Sequence, residues 1–389
     1  MKKRTAAFVM AAAMLAGCLA GCGKAANTNT GAEKAQAAIK IGGIGPLTGS
    51  GAVYGMATRN GAQIAVDEIN AKGGMQFELN FQDDEADAEK GTNAYNTLKD
   101  WGMQIVYGCT TTGSCVAVAA ETNADRYFQI TPSASSVDVT KDHDNVFQVC
   151  FTDPNQGSTA ADFVAGKSMA TKVAVIYNNG DAYSTGIATA FAAEAKAKGM
   201  QVVSTTTFPD DSNTDFSVQL GDAKAKGAEL VFMPIYYTPA SLVLSQAKAM
   251  KYSPIFFGGD GMDGILSMEG FDTATAEGLM LMTPFNASAA NEKTVAFVKA
   301  YKSAYSEVPN QFAADGYDSI YAIYEACQKA GVTADMSHED ICKALIAQFT
   351  ASGFSVDGLT GSKMTWSANG EVSKAPMVVK VENGAYTTI

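Results

Sequence analysis

Basic side chains and histidine are scarce in this sequence, and their scarcity excludes several functions. The 389 residues include 28 lysines and arginines against 40 aspartates and glutamates, which gives a net charge of −12. No run of basic residues occurs beyond residue 4. Because an acidic surface repels phosphate backbones, we expect no nucleic-acid partner. With His143 and His338 as the only histidines, we expect no zinc site.

The sequence also lacks the patterns that catalysis requires. It has no Gly-rich phosphate loop with a lysine, and neither histidine lies in a turn rich in serine or cysteine. Asp83, Asp84, Glu85 and Asp87 cluster beside a predicted helix start, where acidic side chains usually cap the helix or face solvent. We therefore predict that the protein is not an enzyme and uses neither a metal nor another cofactor.

The cysteines follow no C-x-x-C spacing, and five of the seven lie beyond residue 22. Five is an odd number, so at least one of them is unpaired unless it pairs between molecules. The stretch "YGCTTTGSC" (107–115) holds two of them around three threonines. It is compatible with a disulfide loop, an activated thiol or a hydroxyl-lined cradle for an anion. Cys327 and Cys342, on late helices, fit buried thiols or a disulfide equally well.

The N-terminus has the pattern of a secretory signal. "MKKRTAAFVMAAAMLAGCLAGC" has a basic start, an apolar stretch too short for a comfortable membrane span, and then small residues. Its end resembles the lipobox of bacterial lipoproteins, which occurs twice. We predict a signal peptide over 1–21 and lipid attachment at Cys22, with Cys18 as the alternative. Residues 22–38 lack large apolar side chains and are predicted to form a flexible tether.

From residue 39 onward, short apolar runs alternate with helical patterns of 10–15 residues. This alternation predicts parallel sheets covered by helices on both faces, and it continues long enough for two sheets. Open sheets of this kind bind ligands beyond the carboxyl ends of their strands. The turns at those ends are rich in Gly, Ser, Thr and Tyr and almost free of His, Lys and Arg. Such an inventory suits the holding of a small polar molecule.

Several of these turns match a known family. "IKIGGIGPLTGSGAVYG", "GAQIAVDEINAKGG", "ITPSASS", "YSTG" and "GGDGMDG" occur in this order. They resemble the extracytoplasmic substrate-binding proteins of branched-chain-amino-acid ABC transporters, the Leu/Ile/Val-binding protein family. The resemblance covers roughly residues 39–375. It implies an α/β, two-lobed periplasmic-binding-protein fold of type I with three hinge crossovers. Lobe 1 is expected over 39–153 plus 285–358, and lobe 2 over 154–284 plus 359–389.

The resemblance also implies a set of ligand-binding residues in the cleft between the lobes. Thr112 and Ser135 match positions that hold the α-carboxylate, and the backbone carbonyl of Ser133 matches one that takes the α-ammonium. Asp260 matches an acidic partner of the ammonium, often Glu in the family, although it could instead cap the following helix. The remaining matches are aromatic positions along the cleft and positions beside the ligand side chain: Tyr54, Tyr183, Tyr236, Phe312, Thr110 and Thr111.

These matches imply a membrane-tethered receptor that binds a small amino acid, closes around it and delivers it to an ABC transporter permease. The resemblance leaves open a ligand-sensing receptor, or a binder of a small amide or carboxylate, with the same fold. We expect a monomer outside the cytoplasm, lipid-anchored to the bacterial cell membrane on its periplasmic or outer face.

The anchor prediction can be checked on the mature protein. We expect mass spectrometry of the mature N-terminus to show a lipidated Cys22, because this cysteine leaves the longer apolar signal and is followed at once by the tether. Lipidation at Cys18 would establish the alternative cleavage site. Unmodified protein released into the medium would contradict both.

Overall fold

The computed structural model describes residues 37–210 and 214–389. The predicted signal peptide, Cys18, Cys22 and most of the predicted tether lie outside these ranges. The first strand already begins at Ala38, where the tether was predicted to end. Within the described ranges, no helix is both long enough and apolar enough to cross a bilayer.

Strands and helices alternate along the described chain as the sequence pattern predicts. The strands are β1 (Ala38–Gly45), β2 (Gln76–Asp83), β3 (Ile105–Gly108), β4 (Phe128–Thr131), β5 (Val146–Gln148), β6 (Lys172–Asn178), β7 (Gln201–Phe208), β8 (Leu230–Met233), β9 (Ile255–Gly258), β10 (Met280–Thr283), β11 (Met377–Glu382) and β12 (Ala385–Thr388). The helices are α1 (Ala52–Ala71), α2 (Ala88–Trp101), α3 (Thr112–Asp125), α4 (Asp153–Gly166), α5 (Ala182–Ala197), α6 (Ser217–Ala225), α7 (Tyr237–Ala249), α8 (Glu292–Tyr305), α9 (Gln311–Ala330) and α10 (His338–Phe349).

The strands form two sheets. The first has the order β2-β1-β3-β4-β5 and is parallel throughout. The second has the order β12-β11-β10-β9-β8-β6-β7 and is parallel except for its last two strands, β11 and β12, which pair antiparallel. Central strands such as β3, β4 and β8 are buried along their whole length, as expected when helices cover both faces of a sheet.

We call the first sheet with α1–α3 and α8–α10 the first half, and the second sheet with α4–α7 the second half. Helices α8 and α9 return to pack on α1, and α10 packs on α9 and β4. The close crossing of α1 and α9 depends on Gly61, since a Cβ there would lie 1.8 Å from the carbonyl oxygen of Ala313. This approach holds the middle of α1 against the first turn of α9.

The chain passes between the halves after β5, after β10 and after α10. The lobe boundary predicted at 284/285 lies in the second passage, whereas the one predicted at 153/154 lies at the first residue of α4. In the third passage, residues beyond the boundary predicted at 358 still contact the first half. The Trp366 indole donates to the Gln148 carbonyl at 2.8 Å, and Met364 is packed in the core of the first sheet. These contacts favour a boundary after Lys374.

A buried ion pair fixes this third passage. Lys374 Nζ lies 2.8 Å from Asp315 Oδ1 on α9, and both side chains are 1% exposed. Lys374 also donates to Thr360 Oγ1, which donates in turn to Asp318. Asp318 further accepts from the amides of Leu359 and Thr360. Burial nevertheless raises the pKa of Asp315 to about 7, since Lys374 offsets only part of the desolvation.

Replacing Lys374 with methionine should destabilise the protein by about 3 kcal/mol at pH 8, because Asp315 would be left buried without its partner. Because the pKa of Asp315 is raised in the folded protein, ionisation of this carboxyl lowers the stability of the fold as pH rises. The cost of the substitution should therefore be smaller at pH 5, where Asp315 is protonated. Urea denaturation at both pH values measures the effect.

Lys380→Met is the matched control for this variant. Lys380 pairs with Glu382 at 2.9 Å, but both side chains are more than one third exposed. The control should change stability by about 1 kcal/mol or less. A similarly small cost for Lys374→Met at pH 8 would contradict the role assigned to the buried pair.

Candidate functional site

The carboxyl ends of strands from both sheets meet around one small cavity. Turns after β3 and β4 reach it from the first half, and turns after β6, β8 and β9 reach it from the second. The cavity is lined by Tyr54, Thr110, Thr111, Thr112, Ser133, Tyr183, Tyr236, Asp260, Gly261 and Phe312. The structure therefore brings together nine of the ten predicted ligand-binding residues. Ser135 is the exception.

The cavity is small and enclosed. It offers at most about 250 Å³ of space, whereas pockets for drug-sized ligands usually measure about 300–1,000 Å³. All the lining side chains except Tyr236 are buried. A solute that occupies this space must therefore be small, and the halves must separate for it to enter.

One end of the cavity is rich in hydrogen-bond donors. Thr111 is the N-cap of α3, but its side chain makes no capping hydrogen bond. Its Oγ1 is buried and has no hydrogen-bond partner among residues 37–210 and 214–389. The first-turn amides of a helix have no acceptor within the helix, and the helix dipole favours negative charge there. The start of α3, with Thr111 and Thr112, is thus suited to hold an anionic group.

Thr110 and Ser133 give this end of the cavity its shape. Ser133 Oγ donates to the Thr110 carbonyl at 2.6 Å and joins the turns after β3 and β4. The hydroxyls of Thr110 and Thr58 lie 3.1 Å apart, which ties the same turn to α1. These contacts satisfy the hydroxyls of Thr110 and Ser133 within the protein. The hydroxyl of Thr111 is instead left without a partner among the described residues at the cavity wall.

Asp260 provides a carboxylate in the same cavity. Its Oδ1 accepts hydrogen bonds from Gln156 Nε2 at 3.0 Å and from Tyr183 Oη at 2.9 Å. Burial raises the pKa of this carboxyl above its ordinary value, while the hydrogen bonds from Gln156 and Tyr183 oppose the rise. The short turn that begins at Asp260 has no side-chain capping hydrogen bond at its N-cap.

Aromatic rings form the remaining walls. Tyr183 and Tyr236 are stacked with ring centroids 5.0 Å apart, and Tyr54 lies 4.5 Å from Phe312 and 5.6 Å from Tyr236. Burial raises the pKa of the three phenols well above the usual value, so they stay protonated and serve as neutral donors. The rings supply apolar area between the donor-rich turn and the carboxylate.

The two halves are joined by hydrogen bonds beside the cavity. Tyr54 Oη, from α1, donates to the Gly261 carbonyl and accepts from the Tyr237 amide at 3.0 Å. The Gln311 amide at the start of α9 donates to Asp263 Oδ2 at 2.8 Å. These contacts link first-half helices to second-half turns, so the structure is that of a closed cleft.

Ser135 lies behind the cavity. Its side chain is fully buried, and its Oγ donates to Asp153 Oδ1 at 2.7 Å. Burial raises the pKa of Asp153 well above its ordinary value, and the other oxygen of this carboxyl has no partner in the described part of the chain. Contact between Ser135 and a carboxylate ligand stays a prediction, since Asp153 takes the hydroxyl in this structure.

The cysteines around the threonine turn are buried thiols. Cys109 and Cys115 are fully buried and free, as are Cys150, Cys327 and Cys342. Burial raises the pKa of Cys109 well above its usual value, the opposite of what an activated thiol needs. Of the three interpretations of "YGCTTTGSC", the hydroxyl-lined cradle is the one that the geometry supports.

No group of three or more His, Cys, Asp or Glu side chains is arranged to hold a metal ion within 37–210 and 214–389. The acidic cluster near residue 85 has other partners. Asp87 caps α2 by accepting from the Lys90 amide, and Asp83 accepts from the Leu47 amide and the Thr48 hydroxyl. Glu85 pairs with the Lys90 side chain at 2.7 Å.

Sequence reasoning missed Gln156 and Gly261. Gln156 lies in the first turn of α4 and not at a strand end, so the strand-end rule does not select it. Gly261 directly follows Asp260 and contributes backbone, because a Cβ there would lie 2.6 Å from Tyr183 Oη. Asp153 and Gln156 lie within one turn of α4, and this spacing was the sequence signal available for Gln156.

A family model described as "Periplasmic binding protein" matches residues 38–385. Leu/Ile/Val-binding protein homolog 3 of Brucella melitensis biotype 1 is 30% identical over 348 residues, which cover 88% of this chain and 90% of that protein. Leu/Ile/Val-binding protein BraC3 of Rhizobium johnstonii is 32% identical over 310 residues, covering 78% and 83%. These matches confirm the resemblance predicted from the turns.

A solved structure supports the same conclusion. The branched-chain amino acid transporter substrate binding protein LivJ of Streptococcus pneumoniae, in complex with isoleucine, matches with a TM-score of 0.81 and 29% identity. The match covers 90% of this chain and 98% of that one. It confirms the predicted fold class. The relatives are solute-binding proteins, which confirms the prediction that the chain is not an enzyme.

Proposed function

The chain belongs to the periplasmic binding protein family, and from this premise we propose that it captures a small α-amino acid between its halves. The protein then closes and delivers the solute to the permease of an ABC transporter. Relatives named as binding leucine, isoleucine and valine support a solute of the branched-chain type. A lipid on Cys22 holds the protein at the membrane.

One observation carries this proposal: opposite polarities line a single small cavity. The start of α3 offers amides and the unpartnered Thr111 hydroxyl, which suit a carboxylate. Asp260 offers a buried carboxylate that requires a cation. Among the residues that the structure describes, no Lys, Arg or His lines the cavity. An α-amino acid carries both complementary groups on one carbon.

The walls restrict the side chain of the solute. Tyr54, Tyr236 and Phe312 provide apolar area, and the limited space excludes a large substituent. Thr110 and Thr111, which the resemblance assigns to the side-chain pocket, both line the cavity. We propose a small aliphatic side chain, with tolerance for a polar one such as that of threonine.

Calorimetry with the twenty amino acids tests the proposal, and we expect at least one small aliphatic member to bind. Asp260→Asn should weaken this binding by about two to three orders of magnitude, because the ammonium would be buried without its anionic partner. The des-amino carboxylic acid of the same ligand is the control. Its affinity should not fall in the variant.

Two results would overturn this assignment. One is that no amino acid binds while a monocarboxylate or a simple amide does. The other is a loss below tenfold in Asp260→Asn. A sensing receptor would need the same closing cleft, so these measurements address the ligand and not the downstream partner.

A further prediction separates the threonines from the cysteines in the turn after β3. Thr112→Val should weaken amino-acid binding by about tenfold or more, because a hydroxyl donor to a carboxylate is lost. The Cys109→Ser, Cys115→Ser double variant should keep the affinity, since both thiols lie outside the cavity wall. Calorimetry below the melting temperature of each variant decides. Equal losses in the two proteins would contradict a ligand contact at Thr112.

A further inference from the structure

We propose that Gln156 is a positioning residue that orients Asp260 so that one carboxylate oxygen is kept for the cationic group of the solute. The inference rests on the proposed function, in which Asp260 receives the ammonium. It concerns a residue that neither lines the cavity nor lies at a strand end.

Gln156 binds Asp260 through both atoms of its side-chain amide. Its Nε2 donates to Asp260 Oδ1 at 3.0 Å, and its Oε1 accepts from the Asp260 backbone amide at 3.0 Å. Gln156 is fully buried, so water cannot replace either bond. One planar group therefore fixes the carboxylate relative to its own backbone.

Tyr183 completes the arrangement around the same oxygen. Its hydroxyl donates to Asp260 Oδ1 at 2.9 Å and accepts from the Gly261 amide at 2.8 Å. Gln311 Nε2, also nearby, donates to the Asp260 backbone carbonyl at 3.3 Å. Two donors thus converge on Oδ1, whereas Oδ2 accepts no hydrogen bond from the residues that the structure describes.

A neutral amide is the appropriate group at this position because the surroundings of Asp260 are acidic. Among the described residues, the groups whose pKa is affected by the charge of Asp260 are carboxyls, phenols and a thiol. The carboxyls are Asp153, Asp263 and Asp315, the phenols are Tyr54, Tyr183 and Tyr236, and the thiol is Cys150. The neutral amide of Gln156 stabilises the ionised form of Asp260 through a hydrogen bond. It supplies no positive charge, so it does not take the place of the ammonium of the solute.

The test uses two substitutions at Gln156 in the full mature protein. Gln156→Glu keeps the shape of the side chain but replaces the donor with an oxygen. Gln156→Leu removes both hydrogen bonds. Gln246→Leu is the matched control, because Gln246 also uses both amide atoms, donating to the Thr214 carbonyl at 2.9 Å and accepting from the Phe216 amide at 2.7 Å, away from the cavity.

The first measurement needs no ligand. Carbon-13 NMR of the aspartate carboxyls, with Asp260→Asn for assignment, gives the titration of Asp260. Loss of the Gln156 donor should shift this titration to higher pH in Gln156→Leu, since the hydrogen bond favours the ionised form. Gln246→Leu should leave it unchanged.

The second measurement is calorimetry with L-leucine, L-isoleucine, L-valine, L-threonine and L-alanine, continued with the tightest of them. Gln156→Leu should weaken binding by about tenfold to hundredfold, as expected for a donor to a charged group. Gln156→Glu should bind poorly at pH 8 and better at pH 6, because its added carboxyl can then take up a proton and donate to Asp260. The wild type should vary less over this range.

A double-mutant cycle separates positioning from general packing. In an Asp260→Asn background, the Gln156 substitutions should cause little further loss of affinity, because the residue acts through Asp260. An equal loss in both backgrounds would overturn the proposal, as would an Asp260 titration and an affinity that both match the wild type. If Gln156→Leu does not fold, the isosteric Gln156→Glu completes the same cycle.

The two measurements also separate this inference from the proposed function. If the wild type binds none of the five amino acids while the Asp260 titration shifts as expected, the assigned ligand fails and the positioning role stands. If the wild type binds an amino acid and Gln156→Leu matches it both in the Asp260 titration and in affinity, the positioning role fails alone.

Discussion

A carboxylate enclosed by protein needs a positive charge, and the described residues of the cavity wall offer none to Asp260. Burial of an isolated ionised carboxylate costs far more than one hydrogen bond returns. Gln156 and Tyr183 compensate this cost in part, yet the pKa of the carboxyl is still raised. The rest of the compensation has to arrive with the solute. The uncompensated negative charge of Asp260 thus selects a solute with a positively charged group.

The same short turn also joins the halves. Within residues 260–263, the Gly261 carbonyl accepts from Tyr54, the Asp260 carbonyl from the side chain of Gln311, and the Asp263 carboxyl from the amide of Gln311. A ligand can shift a conformational equilibrium only by its difference in affinity for the two states. A solute that contacts Asp260 and the start of α3 together meets both groups only when the cleft is closed. Recognition and closure are therefore coupled through one turn.

The sequence predicted the parts of the site that follow from strand order. Thr111, Thr112, Tyr236 and Asp260 lie where parallel strands end, and that rule needs no coordinates. The rule says nothing of where a hydroxyl points, and the resemblance placed Ser135 at the ligand although its hydroxyl is bound to Asp153. Gln156 was not predicted for a related reason, because its role depends on a partner 104 residues away. Local sequence pattern locates a backbone position, whereas side-chain partners that are distant in the sequence depend on packing.

The third passage between the halves shows why this cleft keeps its negative charge. Lys374 is the one lysine or arginine that is buried among the described residues, and it is bound to Asp315. Asp315 is near enough for its charge to be affected by Asp260, so the nearest buried cation is already paired with another acid. Because that pair fixes the third passage to α9, Lys374 cannot move to Asp260 without releasing the passage. The same distribution of buried charge thus fixes the third passage and leaves Asp260 to bind the positively charged group of the solute.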